Sequence, residues 1–171
     1  MNLEEAIKTS IEYENKVKAC YDEAQAQTKD EVAKKVFRLL AIEEQGHVDY
    51  LERRLEEWQS SGKITVEELA TTIPDGDQID NSLNAVEDKL QSKKPNEAEL
   101  DLLSKALEAE RTTAAFYQKM VGELDNEGKR LFERFVEIEE GHVAIVQAEI
   151  SAVSGLGTWF DMKEFDLSGG A

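Results

Sequence analysis

The sequence predicts an all-α protein that folds as a four-helix bundle, made of two helical hairpins with a long crossover connection between them. Three observations indicate this fold. The two prolines of the chain, Pro74 and Pro95, both lie near its middle. On either side of that middle, apolar residues recur at spacings of three and four, the period of a helix with one buried face. No stretch of useful length alternates apolar and polar residues as a half-buried strand does.

The first hairpin is bounded by two signals for the start of a helix. Asn2 is followed three residues later by a glutamate, the spacing of a capping box, which predicts a first helix over about 2–27. Thr28 repeats this spacing and predicts a second helix over about 28–59. The Ser-Ser-Gly run that closes at Gly62 ends the second helix, since glycine is favoured at helix C-termini.

A long connection over about 60–95 separates the two hairpins. Thr65 marks the start of a predicted short third element that stops near Pro74, and a modest amphipathic piece is expected around 83–90. A connection of this length can return from one end of the bundle to the other, which predicts a single crossover.

The second hairpin repeats the pattern of the first. Asn96 has the capping-box spacing to a glutamate and predicts a long helix to about Leu124. A tight turn at Asp125-Asn126 leads into a fourth long helix that ends near Val153. The bundle is therefore predicted to occupy residues 1–154.

Residues 155–171 form a C-terminal aromatic tail, which contains Trp159, Phe160 and Phe165. These side chains are too apolar to remain in solvent as a group. They are expected to dock on the bundle or on a second chain, and the protein is expected to form a homodimer.

Charge and composition restrict the function. The chain has 37 acidic and 20 basic side chains and a net charge of −17, so neither nucleic acid nor a membrane is expected as a partner. No apolar run exceeds four residues, which argues against a transmembrane helix and a signal peptide and favours a cytoplasmic location. The single cysteine, Cys20, excludes an internal disulfide and any four-Cys metal centre.

On each of the four predicted long helices, the residues that face the core form a row, called here the core stripe, with one glutamate near its middle. On the second and fourth long helices, a histidine follows that glutamate by three residues. These candidate metal ligands are Glu14, Glu44, His47, Glu110, Glu139 and His142. A buried carboxylate costs several kcal/mol, and no Lys or Arg lies at a matching stripe position. Two divalent ions would balance four carboxylates, and two neutral imidazoles would complete the ligand set.

The spacing of these residues suits a dinuclear centre. A Glu-x-x-His pair lies on one helix face, with about 4.5 Å between the residues along the axis. The glycines within the two motifs, Gly46 and Gly141, are expected to ease close helix packing. The first and third helices each have a tyrosine seven residues after the glutamate, Tyr21 and Tyr117, so the chain contains two similar half-sites.

Each of these features also has a plainer interpretation. Acidic pairs such as Glu43-Glu44 are typical of a solvated helix face, but both histidines of the chain fall in the motif, which favours a metal site. Tyr21 and Tyr117 are either core tyrosines whose hydroxyls bond to a ligand carboxylate or the backbone, or redox-active residues. Cys20 is expected to be a packing residue rather than a reactive thiol.

At these residues the chain resembles the rubrerythrin branch of the ferritin-like diiron carboxylate proteins, over about 2–154. Four segments carry the resemblance: Tyr-Glu-Asn-Lys-Val-Lys-Ala-Cys-Tyr, Glu-Glu-Gln-Gly-His, Glu-Arg-Thr-Thr-Ala-Ala-Phe-Tyr and Glu-Glu-Gly-His. The resemblance implies a ferritin-like bundle that holds two irons, bridged by Glu44 and Glu139. It also implies terminal ligands for each iron, Glu14 and His47 for one, Glu110 and His142 for the other.

The same resemblance implies a non-haem diiron oxidoreductase that reduces hydrogen peroxide or oxygen, with a role in oxidative stress. One cysteine cannot build the four-Cys rubredoxin module of rubrerythrins proper, so a separate electron-donor protein is expected. Thr113 stands where those proteins carry an extra Glu that exchanges with a His, so such an exchange is not expected. A ferroxidase or iron-handling protein and a metal-stabilised, non-enzymatic interaction module are the alternatives. Iron is the expected metal, with manganese and zinc as alternatives.

Overall fold

The computed structural model describes residues 1–73 and 97–154. Within these ranges the chain forms four α-helices and no strand, which confirms the predicted all-α four-helix bundle. The helices are α1 (Leu3–Gln27), α2 (Glu31–Ser61), α3 (Glu97–Glu123) and α4 (Asn126–Val153). The crossover through 74–96, the amphipathic piece at 83–90 and the tail at 155–171 lie outside the described residues and stay predictions.

The starts of the first two helices differ in how well the sequence predicted them. Asn2 forms a complete capping box: its side chain accepts a hydrogen bond from the Glu5 N–H at 2.9 Å, and its own N–H donates to the Glu5 carboxylate at 3.2 Å. The predicted cap at Thr28 is wrong, because Asp30 accepts from the Ala33 N–H at 3.1 Å and α2 begins one residue after it. Thr28 instead closes α1, with its N–H bonded to the carbonyl of Ala24.

The segment after α2 corrects a second prediction. Gly62 ends α2 as expected, in a left-handed conformation with φ of 68° that glycine adopts without strain. The short element predicted from Thr65 does not form, because residues 63–71 have no regular structure. Side chains from the bundle take up their carbonyls instead: Tyr50 donates to Glu67 at 3.0 Å and Arg134 donates to Leu69 at 3.0 Å.

Hydrogen bonds and close contacts between helices fix how the four helices face one another. Tyr21 of α1 contacts Glu110 of α3, and Tyr117 of α3 contacts Glu14 of α1, so these two helices run antiparallel. The histidine of α2 approaches Glu139 of α4, and the histidine of α4 approaches Glu44 of α2, so this pair is antiparallel as well. All four helices therefore meet at one level along the bundle.

That level separates the core into two apolar clusters. On one side, large side chains such as Phe37, Leu40 and Leu103 pack together, and on the other side Leu51, Phe132 and Phe135 do so. On α1 the buried residues recur at spacings of three and four from Ile7 to Ala24, as the sequence predicts, whereas Leu3 is only half-buried. On α3 the most deeply buried positions are not all leucines: Leu102, Ala106, Thr113 and Met120 are buried, while Leu100, Leu107, Val121 and Leu124 only pack against the clusters.

The structure does not require the glycine of the first Glu-x-x-His motif. Gly46 is exposed, and a Cβ placed on it would meet no other atom within 4 Å. The expectation that this glycine eases close helix packing is therefore wrong.

None of the helices in the described part of the chain is long and apolar enough to cross a membrane.

We expect Gly46→Ala to stabilise the protein by about 1 kcal/mol, because alanine costs less backbone entropy than glycine inside a helix and meets no obstacle here. For a chain of this size the melting temperature should rise by roughly 2–4 °C, measurable by calorimetry. Gly128→Ala is a matched control, because its Cβ would lie 3.2 Å from Leu3 Cδ1 and part of the gain would be lost in moving that side chain. An unchanged or lower melting temperature for Gly46→Ala would show that the glycine has a packing role after all.

Candidate metal centre

The six predicted ligands converge in the layer between the two apolar clusters. Five of them are fully buried, and His47 is 1% exposed. Helix periodicity puts them there, since each lies on the buried face of its helix, near the middle, and each His follows its Glu by one turn. The structure therefore brings together all of the residues predicted to bind metal, which are Glu14, Glu44, His47, Glu110, Glu139 and His142.

These residues form two overlapping groups that could each hold a metal ion. One group contains Glu14 and His47, the other contains Glu110 and His142, and both include Glu44 and Glu139. Within each group, one potential ligand atom from every residue lies within 4.8 Å of the others. Two carboxylates are therefore shared between two adjacent sets of donors.

The Nδ1 atom of each histidine faces three carboxylates. His47 Nδ1 lies 3.2 Å from Glu14 Oε2, 3.4 Å from Glu44 Oε2 and 3.5 Å from Glu139 Oε1. His142 Nδ1 lies 2.8 Å from Glu44 Oε1, 3.6 Å from Glu110 Oε1 and 3.8 Å from Glu139 Oε2. The two imidazole rings are stacked, with their centroids 5.3 Å apart and their planes 11° apart. Both rings thus present a nitrogen to the shared carboxylates.

Many of these atoms have no hydrogen-bond partner within the described residues. Both oxygens of Glu44 and of Glu139, Oε2 of Glu110, and ring nitrogens of both histidines are buried without one. His142 Nδ1 is among them although it lies 2.8 Å from Glu44 Oε1, since a short distance without hydrogen-bond geometry does not satisfy a polar group. Burying such atoms is costly, and metal coordination is one arrangement that satisfies them. The donor set therefore fits divalent metal ions.

Basic side chains do not neutralise this layer in the part of the chain that the structure describes. Arg54 is the buried basic residue there, and it is engaged elsewhere, with the Thr65 carbonyl and with Glu57. The ion pairs of the four glutamates are all with the two histidines. Among the described residues, the positive charge near the buried carboxylates is therefore that of protons on the cluster itself.

The electrostatics of the cluster without metal follow from burial and crowding. Burial, together with the neighbouring Glu44 carboxylate, raises the pKa of Glu14 from 4.5 to about 8. Burial and the other three carboxylates likewise raise the pKa of Glu139 well above its ordinary value. Burial alone would raise the pKa of Glu44 too, but the adjacent Glu14 carboxyl and the two imidazoles hold the pKa of Glu44 well below its ordinary value.

Both histidines become stronger bases in this setting. Burial disfavours the imidazolium, but the Glu14 and Glu44 carboxylates outweigh it and raise the pKa of His47 to about 10. The pKa of His142 is raised well above 6.5 by Glu44 and Glu110 in the same way. In the metal-free protein, bound protons thus reduce the negative charge of this layer. A metal ion must displace these protons in order to bind.

The two tyrosines join the half-sites across the bundle. The Tyr21 hydroxyl of α1 donates to Glu110 Oε1 of α3, and the Tyr117 hydroxyl of α3 donates to Glu14 Oε1 of α1. Burial and the nearby carboxylates raise the pKa of both phenols well above 10, so the hydroxyls keep their protons and remain donors. Each hydroxyl thus bonds to one of the carboxylates predicted to bind metal, and the role of the two tyrosines at such a centre stays a prediction.

Sequence reasoning missed Glu43, which it treated as part of a solvated helix face. Glu43 is half-buried, and one of its oxygens lies within 4.8 Å of a nitrogen of each histidine. Its carboxylate accepts hydrogen bonds from Thr71 Oγ1 at 2.7 Å and from the Thr72 N–H at 3.1 Å. Its position one helical turn before His47 is the signal that could have identified it, since carboxylates commonly orient metal-binding histidines.

Cys20 agrees with its predicted packing role. Its side chain is half-buried against the apolar cluster that contains Phe37. Burial and the neighbouring Glu23 carboxylate raise the pKa of its thiol, which opposes formation of a reactive thiolate.

Comparison of the chain with protein-family models, curated proteins and solved structures found no match in any of the three. The resemblance to rubrerythrin-type proteins therefore depends on the ligand-type residues and their spacing.

We expect the metal-free protein to lose stability as the pH rises from 4.5 to 8, the interval between the ordinary and the raised pKa of Glu14. In this interval the folded state keeps a proton that the unfolded state has released, so folding becomes less favourable as the pH increases. The raised pKa of Glu139 has the same effect on stability. The raised pKa of His47 extends the loss of stability towards pH 10. Melting curves recorded with a chelator at half-unit pH steps would measure this slope.

General repulsion in a chain of net charge −17 also grows with pH, so a control is needed. Glu14→Gln removes the buried group, and Glu12→Gln removes an equal charge from the exposed face of the same helix. The slope should become shallower in Glu14→Gln and stay nearly unchanged in Glu12→Gln. Equal slopes in both variants would mean that Glu14 ionises in the folded protein as it does in the unfolded chain.

Proposed function

We propose that this protein is a ferritin-like, non-haem diiron oxidoreductase of rubrerythrin type that reduces hydrogen peroxide, or oxygen, with electrons from a separate donor protein. One observation supports it above the others: the two groups of buried donors share Glu44 and Glu139. A single metal ion would need only one such group, whereas two adjacent ions need shared carboxylates. The further proposal that the chain pairs as a homodimer depends on its C-terminal tail.

In this proposal each residue has a defined role at the centre. Glu44 and Glu139 would bridge the two ions, which would satisfy both oxygens of each, since these have no hydrogen-bond partner in the described structure. Glu14 and His47 are terminal ligands of one ion, and Glu110 and His142 of the other, as the membership of the two groups suggests. Four carboxylates then balance the charge of two divalent ions. The protons bound to these side chains in the metal-free protein are released.

Iron is the metal that this ligand set favours. Carboxylate oxygens with one imidazole per ion are typical of the iron and manganese sites of four-helix bundles, while structural zinc sites are usually built from cysteine and histidine. A pair of ferrous ions supplies two electrons, the number needed to reduce the O–O bond of hydrogen peroxide to two water molecules.

The side chains around the ions would orient their ligands and control protons. Tyr21 and Tyr117 each hold one oxygen of a terminal glutamate. The other oxygen would face an ion: Glu110 Oε2 has no hydrogen-bond partner in the described structure, and Glu14 Oε2 lies 3.2 Å from His47 Nδ1. Glu43, held by Thr71 and Thr72, has an oxygen within 4.8 Å of a nitrogen of each histidine and would help to orient a metal-bound ring after a small shift. The apolar clusters on both sides keep bulk water out of the layer, which strengthens these interactions.

We expect two metal ions per chain, and we expect Glu44→Ala to lose most of both because a bridging carboxylate serves both ions. Glu14→Ala should keep about one ion, since it removes a ligand from one group only. Glu12→Ala, at an exposed position on the same helix, is the control and should keep two. Metal analysis after anaerobic loading with ferrous iron measures all three, and two retained ions in Glu44→Ala would contradict the bridging role.

We also expect the diferrous protein to be oxidised by one equivalent of hydrogen peroxide at least tenfold faster than by air-saturated buffer. Without a donor protein the reaction should stop after one oxidation, because the single cysteine of the chain cannot form an internal four-Cys relay. Stopped-flow absorbance of the reduced protein mixed with each oxidant measures the rates. Glu12→Ala is again the control and should react like the parent.

The other outcomes of this experiment identify the alternative functions. Faster reaction with oxygen, with continued consumption of added ferrous iron, would indicate a ferroxidase. A protein that is isolated from its host with zinc and reacts with neither oxidant would indicate a metal-stabilised interaction module.

A further inference from the structure

A cavity of about 310 Å³ opens on the face of the bundle between α1 and α3. Its outer part is bordered by exposed side chains, among them Lys16 and Glu108. Its inner end is formed by Val17 and Thr113, each only 1% exposed. The cavity is thus a depression open to solvent, and its floor is formed by two almost completely buried side chains.

The antiparallel register of α1 and α3 places this inner end beside the metal-binding layer. Glu14 pairs with Tyr117, and Tyr21 pairs with Glu110, so the residues midway between these contacts are Val17 and Thr113. Each lies one helical turn from a terminal glutamate of the cluster and on the same buried helix face. The cavity therefore ends between the two half-sites, with two small side chains as its floor.

The chemistry of the lining restricts what the cavity can accept. Tyr13, Val17 and Ala109 supply mostly apolar walls. The Thr113 hydroxyl donates its proton to the Ala109 carbonyl at 3.0 Å, so a ligand that reaches this oxygen would have to donate a hydrogen bond to it. The inner end therefore suits a molecule with an apolar body and an O–H group directed inward.

The size of the cavity exceeds what hydrogen peroxide needs. Apolar protein cavities of ~150 Å³ bind benzene, and pockets for organic ligands begin at ~300 Å³. At 310 Å³ this cavity can take an aromatic ring with several further atoms.

From this position, lining and size we propose that the cavity between α1 and α3 is a binding site for organic hydroperoxides, whose apolar group packs against Tyr13 and Ala109 while the hydroperoxide O–H donates to Thr113. This inference depends on the proposed function, because it names a substrate class for the same centre. The overall reaction is ROOH + 2 Fe(II) + 2 H⁺ → ROH + H₂O + 2 Fe(III). The O–O bond breaks, one electron comes from each of two ferrous ions, and the two protons come from solvent.

The binding step can be tested without any redox reaction. Zinc-loaded protein is titrated with 2-phenyl-2-propanol, the alcohol product of cumene hydroperoxide, and the methyl resonances of Val17 and Thr113 are followed by NMR. Both resonances should shift in a saturable manner. Toluene, which lacks the O–H group, should shift the Thr113 signal less. No saturable shift at either residue would overturn the proposal.

A pair of variants tests the location. Ala109→Phe places a ring inside the cavity, whereas Ala115→Phe adds the same ring at an exposed position of α3. Binding of the alcohol should weaken at least tenfold in Ala109→Phe and stay within twofold of the parent in Ala115→Phe. If binding of the alcohol weakens equally in both variants, or weakens in neither, the binding site lies elsewhere. Zinc content and melting temperature verify that each variant is folded.

Oxidation rates separate this inference from the proposed function. Diferrous parent protein should react with both cumene hydroperoxide and hydrogen peroxide, and Ala109→Phe should lose at least tenfold in rate with cumene hydroperoxide alone. If hydrogen peroxide reacts and cumene hydroperoxide does not, the cavity proposal fails while the peroxidase proposal stands. If neither oxidant reacts although the zinc form binds the alcohol, the proposed function fails.

Discussion

The burial of four carboxylates in one layer of the bundle is the constraint on which the rest of the structure depends. Each helix contributes one of them, and within the described residues their ion-pair partners are the two histidines. Because these charges are buried and meet no basic side chain in the described part of the chain, the four helices bring them to the same level, where protons or metal ions can neutralise them. This requirement sets the register of the helices, and the apolar side chains pack above and below the layer.

The sequence was sufficient to predict this layer because its residues violate the usual rule that core positions are apolar. Glutamates that interrupt an apolar stripe at mid-helix, with both histidines of the chain one turn after two of them, stand out against any background of surface acids. Helix periodicity then placed all six on buried faces. Helix ends were also predicted to within a few residues where a capping box or a left-handed glycine was present, as at Asn2 and Gly62.

The features that sequence reasoning missed are set by tertiary contacts. The capping spacing at Thr65 failed because Tyr50, Arg54 and Arg134 bond to the carbonyls of that segment, which holds it in an irregular path along the bundle. Glu43 was missed for the same reason, since its partners Thr71 and Thr72 arrive from that irregular segment. The other half of the chain has Ile138 at the equivalent position, so the two half-sites differ in what surrounds their histidines.

The tyrosine contacts across the bundle have a consequence for how such a protein could originate. Each hairpin carries one complete set of a glutamate, a tyrosine and a Glu-x-x-His pair, but its tyrosine bonds to the glutamate of the other hairpin. A single hairpin could therefore not satisfy its own set, whereas two identical copies associated about a two-fold axis would satisfy both. Duplication and fusion of a gene for one self-associating hairpin would yield a chain with these contacts, and Glu43 and Ile138 mark where the two halves differ.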